Sequence, residues 1–120
     1  AAPNRKEKPV SPLKQLTSQE TLDEALDAGL SVIYKHSSRC WICTKAERQV
    51  REFATEHPDV PVYQVDALEG KDISQEVAGR LGVEHHSPQV IVIREGKAAW
   101  SGSHFRISTR ILKRETGRGN

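Results

Sequence analysis

Cysteine is scarce in this chain, with Cys40 and Cys43 the only two among 120 residues. Two thiols at that spacing are too few for a disulfide scaffold. The loop they would close is so small that a purely structural bridge would stabilise little. Long apolar runs are absent as well. Nothing approaches the roughly 20 residues of a membrane span, and no apolar segment near the start reads as a secretory signal. A basic stripe is also missing. The formal charge is +2, but residues 1–12 carry +2 and residues 110–120 carry +3, which leaves −3 for residues 13–109. A slightly acidic body with two basic ends argues against nucleic acid as a partner. These absences lead us to expect a cytoplasmic protein without a membrane partner, whose thiols stay reduced and available for chemistry.

What is present is an ordinary globular composition, 36% hydrophobic and 28% charged, over a length that suits one domain. Residues 1–12, with three prolines and mixed charge, read as a disordered arm. Residues 13–115 are expected to fold and residues 116–120 to form a disordered tail. Thr17-Ser18-Gln19-Glu20 has capping-box spacing ahead of the stripe Leu22, Ala25 and Leu26, which Gly29 ends. A strand follows from about Leu30 to His36. Ile42, Ala46, Val50 and Phe53 then fall on one helical face, and that helix should stop before Pro58. Val60 to Asp66 alternates as a strand, and Asp72 reads as the cap of a helix carrying Ile73, Val77 and Leu81 up to Gly82. Gln89 to Ile93 is nearly all apolar, as in a strand covered on both faces. Glu95-Gly96-Lys97 turns the chain into Ala98-Ala99-Trp100 as a hairpin, and Ser108 caps a last helix with Ile111 and Leu112.

The C-x-x-C motif Cys40-Trp41-Ile42-Cys43 stands where the first long strand gives way to a helix. Unpaired backbone N–H groups and the helix dipole stabilise a thiolate there. A free thiol titrates near pH ~8.5, and such a setting brings it to roughly 3.5–7.5. Cys40, nearest the helix start, is the expected nucleophile. Cys43, one turn deeper, is expected to be more protected and to act as resolving thiol; a small core residue is its alternative reading. Trp41 lies between the thiols and is expected to pack on a partner. Arg39 would favour a thiolate or a substrate carboxylate, or is simply solvated. His36 ends the strand leading to the motif and, like His104, could tune the Cys40 pKa or move its proton. Zinc is the rival chemistry for C-x-x-C. It would need two more ligands from His36, His85, His86 and His104, which lack the spacing of a second ligand pair. No metal or bound cofactor is therefore expected. Trp100 reads as core.

The order helix, β-α-β, helix, β-β, helix, with C-x-x-C after the first long strand, resembles the thioredoxin fold. This is an α/β fold with a mixed central sheet of four or five strands flanked by helices. Ser87-Pro88, just before the third long strand, lies where proteins of that fold hold a cis-proline against the reactive cysteine. A narrower resemblance rests on three separated stretches: His36-Ser37-Ser38-Arg39-Cys40, Gly82 to Val90, and Trp100-Ser101-Gly102-Ser103-His104-Phe105-Arg106-Ile107-Ser108. Together these look like the monothiol bacilliredoxins of the bacillithiol stress system, over about residues 13–111. The resemblance implies removal of bacillithiol from mixed disulfides on other proteins. Bacillithiol or another low-molecular-weight thiol would be the cosubstrate, with Ser87, Pro88, Ser103 and His104 bordering the substrate.

Members of that family typically have one cysteine followed by proline and a serine near the second thiol position. Here Trp41 and Cys43 stand instead, so internal resolution by Cys43 is open. Thioredoxins bury an acidic residue six positions before the first cysteine, and this chain has Tyr34. The expected function is thiol–disulfide oxidoreduction of the bacilliredoxin kind. A general dithiol reductase, a non-enzymatic thioredoxin-like binding module and a zinc domain are the alternatives.

Overall fold

The computed structural model describes residues 12–37 and 41–119, without the side chains of Trp41 and Ile42. In chain order the elements are β1 (Lys14–Gln15), α1 (Gln19–Asp27), β2 (Leu30–His36), α2 (Trp41–Glu56), β3 (Val62–Asp66), α3 (Lys71–Leu81), β4 (Gln89–Arg94), β5 (Lys97–Ser103), a 3-10 turn (His104–Arg106) and α4 (Thr109–Glu115). The five strands form one mixed sheet in the order β1-β3-β2-β4-β5. β2 lies at its centre, parallel to β3 and antiparallel to β4.

Alternation along the central strands distributes the core over both faces of the sheet. Val32 and Tyr34 of β2 and Val90 and Val92 of β4 point one way, onto Ala46, Val50 and Phe53 of α2 and Leu112 of α4. Ile33, Ile91 and Ile93 point the other way, onto Leu22 and Ala25 of α1 and Val77 of α3. Each fully buried Val or Ile contributes about 1.5–3 kcal/mol, so the uninterrupted run Val90-Ile91-Val92-Ile93 is the main reason β4 is held between two helical layers. Among the described residues no helix is long and apolar enough to cross a membrane.

Several boundaries differ from expectation for identifiable reasons. Ser18, not Thr17, caps α1: its backbone is extended and its Oγ accepts from Thr21 N–H at 3.2 Å. α3 begins after Gly70, which offers no side-chain cap, and Asp72 lies within its first turn. The carboxylate that caps backbone there is Asp66, whose Oδ1 accepts from Leu68 N–H at 2.7 Å and Glu69 N–H at 2.9 Å. Both central residues of the β4–β5 turn, Glu95 and Gly96, have positive φ, as a tight two-residue hairpin requires. Trp100 is only half-buried, because Ala99 is an extra residue between Val92↔Trp100 and Ile93↔Ala98 and irregularly turns the edge strand.

Residues 116–119, expected as a tail, make contacts with the domain. Thr116 is buried and its hydroxyl donates to Leu112 O at 2.7 Å, while Arg118 pairs with Asp59 at 2.7 Å. The polar composition concealed these returns to the domain. The expected disordered arm lies outside the described residues except for Pro12, which is exposed.

Candidate functional site

The candidate site lies at the end of the sheet where β2 leaves toward the C-x-x-C motif and β4 begins. Cys40 and Arg39 lie outside the described residues, and Trp41 is placed only as the first residue of α2. Cys43 is fully buried in the first turn of that helix. Its backbone is tied to the sheet, since the Tyr34 hydroxyl donates to Cys43 O at 3.0 Å. The same hydroxyl lies 2.8 Å from His36 Nδ1. The one hydroxyl therefore lies within hydrogen-bond reach of both the helix backbone and the His36 ring. Tyr34 thus connects the strand, the helix and a histidine through one neutral hydroxyl.

The Ser87-Pro88 bond is cis. Pro88 is buried at the entry to β4, and its carbonyl accepts from His104 N–H at 3.2 Å. Ser103, the last residue of β5, pairs with Gln89, so Ser103 and His104 are brought beside Pro88. The His104 backbone has positive φ, and its ring lies edge-on to His86 with centroids 6.4 Å apart. The buried Ser87 Oγ has no hydrogen-bond partner among the described residues. A groove of about 210 Å³ runs between α2 and the 3-10 turn, lined in part by Lys45, Gln49, His104 and the strongly exposed Phe105.

Sequence reasoning missed Lys35. It alternates with Tyr34 and therefore points to the opposite face of the sheet, where it is fully buried. Its Nζ donates to Ser74 O at 3.0 Å and lies 3.0 Å from His85 Nδ1. Among the described residues no carboxylate pairs with it, and burial pushes its pKa down to about 8. His85 has its pKa lowered by burial first, then by the positive charge of Lys35 and by His86. A lysine in an alternating strand carries no sequence signal of burial.

The family of monothiol bacilliredoxin BrxC matches residues 12–112. A thioredoxin-fold protein grouped with the oxidoreductases superposes with a TM-score of 0.80 at 25% identity, covering 86% of this chain and 92% of its own. Thioredoxin from Trypanosoma brucei brucei gives a TM-score of 0.67 at 21% identity, covering 91% of this chain and 90% of its own. Mitochondrial thioredoxin 3 from Saccharomyces cerevisiae gives 0.70 at 16% identity, covering 90% and 98%. The last two likenesses establish the thioredoxin fold.

Proposed function

We propose that this chain, which belongs to the monothiol bacilliredoxin family, removes bacillithiol from mixed disulfides on other proteins, with Cys40 as nucleophile. Membership of that family carries thiol–disulfide redox chemistry as the general activity. The observation that supports the finer reading is the convergence at one sheet end of the buried Cys43, tied to β2 through Tyr34, and the Pro88 backbone bonded to His104.

In the proposed reaction the Cys40 thiolate attacks the bacillithiol sulfur of a protein mixed disulfide. That S–S bond breaks, the protein thiol leaves reduced, and a new disulfide joins Cys40 to bacillithiol. Release follows one of two routes. Cys43 as thiolate attacks Cys40 and expels bacillithiol, leaving a Cys40–Cys43 disulfide; or a second bacillithiol attacks the adduct and leaves as bacillithiol disulfide. Trp41, Arg39, Ser87, Pro88, Ser103 and His104 are assigned to the substrate, and His36 to tuning the thiol. The reaction suits a reducing compartment, the cytoplasm. No bound cofactor takes part.

One protein carrying either bacillithiol or glutathione on the same cysteine tests the substrate assignment. The reading expects the bacillithiol adduct to be cleared much faster at equal concentration. Equal or reversed preference would favour the general dithiol reductase, and clearance of neither would favour a binding module.

A further inference from the structure

On the face of the sheet opposite Tyr34 is a cleft of about 300 Å³ lined by Ala67, Leu68, Lys71, Ser74, Gln75 and His85. It borders the end of β2, where Ala67 N–H donates to His36 O at 2.7 Å, and His85 stands two residues before Ser87. Lys35 lies directly beneath it, joined to the two lining residues Ser74 and His85. We propose that this cleft binds a carboxylate of the small thiol that the substrate carries, a proposal that rests on the function proposed above and names where its substrate is recognised.

Three features define the ligand's charge. A buried ammonium is ordinarily paired with a carboxylate, since an isolated charge in a low-dielectric setting is costly. Lys35 has only a carbonyl and an imidazole nitrogen among the described residues. By donating to His85 Nδ1 it leaves the second ring N–H on Nε2, polarised by the adjacent cation and available to an acceptor in the cleft. Lys71, exposed on the rim at the first position of α3, adds a second positive charge without an ion pair among the described residues. No carboxylate is among the residues that line the cleft. Asp66 Oδ1 is engaged by the Leu68 and Glu69 amides, and Glu84 is strongly exposed, 3.9 Å from His86 Nε2. Shape favours a small ligand, with Leu68 as an apolar wall half exposed at the mouth.

The test is a nuclear magnetic resonance titration of the full chain with succinate, and with succinamide as its uncharged counterpart. Succinate is expected to shift the amides of residues 67–75 and the His85 ring, with an affinity of roughly millimolar order, and succinamide to leave them still. Lys71→Glu, an exposed change that spares the fold, and Lys35→Met should each weaken succinate by at least about tenfold. Equal shifts from both ligands, no shifts in this region, or undiminished binding by Lys71→Glu would overturn the proposal. S-methyl bacillithiol and a cysteine-free Asp/Glu peptide separate the two sources of a carboxylate. The first must shift the same resonances more tightly than succinate. Preference for the peptide would assign the cleft to acidic side chains of protein targets and overturn the small-thiol assignment. None of these ligands exchanges a thiol. A wild-type protein that turns over but binds none of these ligands therefore overturns the cleft alone, and one that binds them without turnover overturns the redox reading alone.

Discussion

Replacing Lys35 by Met should make the protein more stable at neutral pH, and the gain should disappear in alkali. Lys35 is fully buried without a carboxylate partner among the described residues, and its pKa falls from 10.5 to about 8. Folding therefore disfavours the proton that the unfolded chain keeps. Below about pH 8 the charged lysine is present in both states, and the whole burial cost is borne by the native state. Between about 8 and 10.5 the unfolded state binds more protons than the folded one, so wild-type stability rises with pH relative to the variant. Above that window the cost has vanished. At about 1.4 kcal/mol per pKa unit the cost is roughly 3 kcal/mol. Met retains the aliphatic stem, Ser74 O keeps its place in α3, and the exposed His85 turns to water. Most of that cost should therefore be recovered. Urea unfolding of both proteins at pH 7 and again near pH 10.5 gives the difference directly, and changes at other groups cancel between them. A variant less stable than wild type at pH 7, or a difference that does not change with pH, would refute the reasoning.

Tyr34→Phe removes a hydroxyl bonded to both Cys43 O and His36 Nδ1; Cys43 O retains its helical bond, so a loss of about 1 kcal/mol is expected in urea unfolding. Gly102→Ala would place a Cβ 2.5 Å from the Trp100 ring, forcing the indole off the sheet. A destabilisation of about 1–3 kcal/mol and a changed near-ultraviolet circular dichroism signal should accompany it.

The reach of the sequence was uneven, and the reasons are physical. β2 and β4 were legible because buried strands on a two-sided core read as apolar runs, and α2 because Ala46, Val50 and Phe53 recur at helical spacing. β1 was missed: two exposed residues, Lys14 and Gln15, have no pattern, and only pairing with Tyr63 and Gln64 makes them a strand. Pro88, Ser103 and His104, far apart in sequence, were grouped through family resemblance, and the β4–β5 register accounts for their meeting. The Lys35–His85 pair was hidden because its partners lie 50 residues apart and a lysine does not announce burial.

The central claim is that Cys40 makes the first attack and Cys43 is dispensable for it. Mass spectrometry of Cys43→Ser mixed with a bacillithiolated protein tests it most directly. The account predicts one bacillithiol accumulating on Cys40, stable until excess thiol is added, while Cys40→Ser acquires none. An adduct on Cys43 in Cys40→Ser, or no adduct on Cys40 in Cys43→Ser, would contradict it.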